Sequence, residues 1–150
     1  MAIIHRDTDY AIRALVRLAD ADDVLAASSM ADQEQVPEHF LRKIMQRLKS
    51  AGLVESTQGP FGGYSLAVEP AGINLLDIVE AMQGRVVVNA CFDDPSVCEQ
   101  MNECPVHRRL ESLQDTIETW MEDLTLADIA SDLNSEGSEN DEQPEVSRTG

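Results

Sequence analysis

"PEHFLRKIMQRLKSAGLVESTQGPFGGYSLAV", residues 37–68, runs as a helix, a glycine stop and a hairpin in immediate succession. Pro37 suits the first turn of a helix, where a missing N–H is harmless. Phe40, Leu41, Ile44, Met45 and Leu48 recur at helical spacing on one side, leaving Glu38, His39, Arg42, Lys43 and Lys49 on the other. Gly52 supplies a natural C-cap. Next, "LVESTQGPFGGYSLAV" is two short strand-like runs around "GPFGG", a glycine-dense turn able to take positive φ, and so predicts a β-hairpin.

Working outward, residues 3–19 place Ile4, Ala11, Ala14, Leu15 and Leu18 near one side of a first helix, and "DADDV" (20–24) breaks it. "SSMADQEQ" (28–35) offers Ser28 or Ser29 as the N-cap of a short second helix. Two helices joined by a tight turn and followed at once by a hairpin predict a winged helix-turn-helix, a mainly α fold with a small β wing. In that arrangement Glu38, His39, Arg42 and Lys43 face the major groove of double-stranded DNA. The wing tip, with Gln58, Gly59, Gly62 and Gly63, lies along the backbone or minor groove. The plainer alternative is a basic helix on a protein-interaction domain of the same shape; the order of helix, turn and hairpin favours DNA.

A formal charge of −17 argues against an anionic partner until its distribution is read. Residues 1–68 carry seven Lys/Arg against nine Asp/Glu, net −2, whereas residues 69–150 carry four against nineteen, net −15. The run from His39 to Lys49 contains Arg42, Lys43 and Arg47 and no acid, so a basic face survives where the fold places it. No apolar run reaches the roughly 20 residues of a membrane span, and the amphipathic start lacks a signal peptide's apolar stretch. The expectation is a cytoplasmic protein with no membrane partner. Neither a phosphate loop nor a nucleophile elbow nor a metalloprotease motif is present, and no enzyme is expected.

"INLLDIVEAMQG" (73–84) predicts a further short helix ending at Gly84. From Pro105 onward, Val106, Leu110, Leu113, Ile117, Trp120, Met121 and Leu124 recur at three- and four-residue steps along a helix about 28 Å long at ~1.5 Å per residue. Little chain remains to cover that stripe, which predicts a homodimer, with packing on the first helix as the alternative. A dimer also suits a pseudo-palindromic operator.

Between these helices lie all three cysteines, Cys91, Cys98 and Cys104, with His107 three positions after the last. Zinc ribbons repeat a two-residue cysteine spacing that is missing here, where six and five residues intervene. Three soft thiolates on an irregular loop with one nitrogen or oxygen donor suit an iron–sulfur cluster, which is wider than one ion. With Pro105 at the first helical position, Cys104 sits at the N-cap, where the helix dipole favours a thiolate, and His107 shares its side one turn on. Asp93, Asp94, Glu99 and Glu103 act oppositely, raising thiol pKa values, so metal binding should release protons.

"TDYAIRAL" (8–15), "VPEHFLRKIMQRLKSAGLVES" (36–56), "GPFGGYSL" (59–66), "INLLDIVEAMQG" (73–84) and the cysteine loop with "LTLADIA" (124–130) together resemble the Rrf2-type family of bacterial winged-helix transcription regulators, with its IscR-, NsrR- and RirA-like branches. The resemblance implies a repressor-type regulator sensing cluster status, iron, redox state or nitric oxide, with Cys91, Cys98 and Cys104 as cluster ligands. "CPVH" resembles the IscR-like placement of a histidine ligand, implying His107 and a [2Fe–2S] cluster. "TDYAIR" resembles the NsrR-like start, implying Asp9 from a second subunit and a [4Fe–4S] cluster as the alternative. Two departures stand out: one extra residue between the first two cysteines relative to the IscR-like pattern, and Gln58 where wings of this family often carry arginine. A zinc- or thiol-based redox regulator without a cluster is the competing class. The expected organisation is a winged domain over 1–84, a cluster loop over 85–105, a dimerisation helix and end segment over 106–132, and an acidic disordered tail over 133–150.

Overall fold

The computed structural model describes residues 2–136. Within them the apolar spacing becomes α1 (Arg6–Asp20), α2 (Ala27–Glu34), α3 (Glu38–Ser50), β1 (Val54–Thr57), β2 (Gly63–Leu66), α4 (Leu75–Gln83), the one-turn α5 (Ala90–Asp93), α6 (Pro105–Asp123) and α7 (Leu126–Glu136). This is a mostly helical winged helix-turn-helix with one antiparallel hairpin. Ala11, Ala14, Leu15 and Leu18 of α1 are buried against Met30 of α2 and Leu41, Ile44, Met45 and Leu48 of α3, the side predicted for each helix. Small side chains at Ala11, Ala14, Ala27 and Ala31 let the helices approach closely. Phe40 is half-buried, edge-on to Tyr10 with ring centroids 5.7 Å apart.

α3 stops as its glycine predicts: Gly52 takes φ +79°, and the Leu53 N–H donates to the Leu48 carbonyl at 3.0 Å. The hairpin pairs Val54 with Leu66 through Thr57 with Gly63. α2 differs from expectation, since it begins at Ala27 with Ala26 as an N-cap that makes no side-chain hydrogen bond, and neither Ser28 nor Ser29 caps it. The cause is tertiary. Leu25 exchanges two backbone hydrogen bonds with Tyr64 of β2, at 2.9 and 2.8 Å, which fixes where the chain turns into the helix.

A second strand-like exchange joins distant parts of the chain. The Leu75 N–H donates to Leu124 and the Leu126 N–H to Ile73, both at 2.8 Å, bringing the end of α6 back to the start of α4. Leu126 is fully buried in the main core, and Ile129 and Ala130 pack against the same cluster, so α7 lies on α1. α6 packs on α4 through a smaller cluster of Leu75, Val79, Val86 and Met121, flanked by Ile117 and Leu124. Residues 133–136, read from sequence as the start of the tail, are the last turn of α7; the rest of that expectation lies outside the described residues. No helix among the described residues is long and apolar enough to cross a membrane.

Candidate functional site

α3 presents its polar side to solvent: Glu38, His39, Arg42, Lys43, Gln46 and Lys49 are all exposed, while Leu41, Ile44, Met45 and Leu48 hold the helix from behind. Arg42 donates to Glu38 at 2.8 Å, an exposed pair that a phosphate or base can displace at little cost. Arg47 is engaged elsewhere, donating from Nη1 to the Met82 carbonyl at 3.0 Å and fastening α3 to the end of α4. A groove of about 380 Å³ runs between α3 and the wing, lined on one side by Arg42, Gln46 and Lys49 and on the other by Ser56, Gln58 and Gly59. Lys49 spans it, donating to the Ser56 hydroxyl at 2.6 Å. The structure thus brings Arg42, Gln58, Gly59, Gly62 and Gly63 to one groove, with Glu38, His39 and Lys43 on the exposed side of the same helix.

The cysteine loop is built differently. It runs through α5 and two short 3-10 turns, Pro95–Val97 and Met101–Glu103, and no residue between Val86 and Gln114 is buried. Asp94 caps the first turn by accepting from the Ser96 N–H at 2.9 Å; hydrogen bonds from the Ser96 side chain and backbone hold its carboxyl below the usual carboxylate range. Pro105 opens α6, and Cys104 is its N-cap as predicted, Sγ accepting from the His107 N–H at 3.4 Å. His107 Nδ1 lies 3.2 Å from Cys91 Sγ, and its ring stacks on Phe92 with centroids 4.6 Å apart. Cys91, Cys98, Cys104 and His107 all line one cavity of about 230 Å³, and all three thiols are free and half-buried. No three His, Cys, Asp or Glu side chains among the described residues close on a single ion. Three thiols and one imidazole around a single cavity are the donor types that an iron–sulfur cluster takes. Asp9 does not line this cavity; on α1 its carboxylate pairs with Arg13 at 3.1 Å.

Sequence reasoning passed over the side chains that fasten this loop. Gln114, 2% exposed within α6, accepts from the Val88 N–H at 2.9 Å and donates to the Val86 carbonyl at 2.6 Å and to Glu118 at 2.8 Å. Arg85 bridges Glu118 at 3.6 Å and the Phe92 carbonyl at 2.7 Å, next to Cys91. One polar residue inside the apolar spacing of α6, four after Leu110 and three before Ile117, was the available signal. The stripe itself divides: Met121 is buried on α4, while Val106, Leu113 and Trp120, seven residues apart, are 59%, 46% and 60% exposed.

The family described as Iron-dependent Transcriptional regulator, Rrf2, matches residues 4–132. A protein of Aquifex aeolicus (strain VF5), provisionally named an HTH-type transcriptional regulator, is 34% identical over 123 residues, covering 80% of this chain and 85% of its own. The solved structure of CymR (YrzC), the global cysteine regulator of B. subtilis, superposes with a TM-score of 0.70 at 27% identity, covering 87% of this chain and 98% of that one. That of T. potens IscR gives 0.66 at 25% identity, covering 89% of each chain.

Proposed function

Because this chain belongs to the Rrf2 family of transcriptional regulators, which are DNA-binding proteins and not enzymes, we propose that it is a repressor whose DNA affinity is set at the cysteine loop by an iron–sulfur cluster. Cys91, Cys98 and Cys104 as thiolates, with His107 as the fourth donor, would hold that cluster. The observation that carries this reading is that all four side chains line one cavity. Asp9 from a second subunit is the other fourth donor; its pairing with Arg13 favours His107 within the chain. When bound, the cluster supplies chemistry that redox state, nitric oxide or iron supply can alter.

The chain's own residues do the rest. Arg42, Lys43 and His39 offer α3 to the major groove, where a bidentate arginine contact discriminates by about 1–3 kcal/mol. Val106, Leu113 and Trp120, seven residues apart, stay exposed while Ile117, Met121 and Leu124 pack on α4; the exposed three form the stripe left for a second copy of α6, so α6 pairs with its copy and sets the spacing of two α3 helices on a pseudo-palindromic operator. Gln114 and Arg85 tie the cysteine loop to α6, so a change in how Cys91 is held reaches the dimer seam.

Anaerobic purification with iron, acid-labile sulfide and zinc assays on one sample tests this. The expected result is iron and sulfide in parity at about two of each per subunit, lost together with the visible spectrum in Cys98→Ala, and an operator affinity that differs between the loaded and stripped forms. Zinc alone, or a metal-free protein binding DNA tightly, supports instead a second reading in which the cysteine loop binds zinc or its three free, half-buried thiols respond to oxidation.

A further inference from the structure

Phe61 is 94% exposed, the most exposed large apolar side chain among the described residues. It stands apart from the α6 stripe, on the tip of the wing. The tip is a tight turn, Gly59–Pro60–Phe61–Gly62, closed by the Gly62 N–H donating to the Gly59 carbonyl at 3.0 Å. Pro60 fixes φ at the second position and Gly59 takes φ +107°. The turn is wedged from beneath: a Cβ on Gly62 would stand 2.1 Å from the Thr57 carbonyl oxygen, and one on Gly63 2.2 Å from that of Leu25. The backbone beneath the tip therefore packs closely on the hairpin and on the segment before α2, and the Phe61 ring projects into solvent.

The wing also lacks something. From Val54 to Val68 there is no lysine or arginine, so the hairpin can neutralise no phosphate of its own. Its groove-facing polar groups are neutral, Ser56 and Gln58, and the nearby cations, Arg42 and Lys49, belong to α3. A wing that shares a groove with the recognition helix, carries no positive charge and ends in an outward aromatic is built to contribute shape.

We propose that Phe61 is an apolar wedge that enters the minor groove beside the major-groove site of α3 and partly unstacks a base step there. This rests on the winged domain being the DNA-binding unit of the chain. Side chains of this kind pry apart steps that open easily, pyrimidine–purine steps above all, and so select sequence through deformability. Gln58, three residues away on the same tip, supplies an amide that can hydrogen-bond minor-groove acceptors without adding charge.

The test is selection from duplexes of randomised sequence by the anaerobically purified full chain, followed by affinity against salt for the wild type, Phe61→Ala, Phe61→Leu and Arg42→Ala. The expected wild-type selection contains a pyrimidine–purine step at a fixed distance outside each half-site, and a fluorescent base analogue at that step brightens on binding. Phe61→Ala should lose about tenfold in affinity, the step preference and the brightening while keeping the salt slope, whereas Phe61→Leu retains most of all three. Arg42→Ala should keep the step preference but lower the salt slope by about one. Equal affinity and an unchanged selection for Phe61→Ala would overturn the wedge, as would a change in oligomeric state on that substitution without DNA. If the wild type selects no sequence at all, the DNA-binding reading fails before any variant is compared, and the wedge fails with it.

Discussion

The winged unit and the cysteine loop are held by opposite means. In the first, Leu15, Met30, Leu41, Ile44, Met45, Leu48 and Ile78 are buried almost to the last atom, and α3 and α4 close on glycines. In the second, no residue between Val86 and Gln114 is buried, and order comes from short turns and a few polar clips. Burial and glycine stops specify the winged half. The loop has no core of its own, so on the proposed reading a group gathering its thiols would contribute most of its folding energy, as structural metals do.

Core truncation separates the two regions most sharply. Leu126→Ala should cost about 2–5 kcal/mol in denaturant unfolding, because the side chain is fully buried in the winged core although it follows the loop in sequence. Val97→Ala, on a loop residue 57% exposed, should stay within about 0.5 kcal/mol. Similar costs at both sites would erase the distinction. A smaller effect is expected where the regions meet: Gln114→Leu leaves the Val86 carbonyl and the Val88 N–H without their partner and should cost about 1–3 kcal/mol. Hydrogen exchange should then quicken over residues 85–92 and not in α3; uniform quickening would mean that the clip supports the whole molecule. The smallest effect is acid loosening of α7. The Thr125 N–H, at 3.0 Å, and hydroxyl, at 2.9 Å, hold the Asp128 carboxyl below its usual range. A carboxyl depressed in the folded state stabilises above its unfolded pKa, and that contribution fades as pH falls through the folded value. Exchange in the first turn of α7 should therefore quicken only in acid below the ordinary carboxylate range, and Asp128→Asn should remove that pH dependence.

Much of this was legible locally. The apolar sides of α1 and α3, the stops at Gly52 and Gly84, the hairpin around "GPFGG" and the Cys104–Pro105 start of α6 are written in spacing and cap chemistry, and each stands where that chemistry puts it. The start of α2 departs from its serine signal because the Leu25–Tyr64 pairing, invisible to a local window, overrides it. The return of α7 onto α1 was likewise hidden, since it depends on an exchange between residues 73–75 and 124–126. At the cysteine site the residue types and the helix start were readable, but the meeting of Cys91 with His107 and the Gln114 clip required the chain's path in space.

The pairing of Ile73 with Leu126 also carries a consequence for synthesis. A ribosome releases α1 to α4 long before Leu126, so the winged core stays incomplete while the cysteine loop and α6 are being made. Domains otherwise tend to fold in order as they emerge. Here the nascent chain presents its three thiols while Ile73 still awaits its last neighbour, so the winged core closes only after the whole cysteine loop has been made.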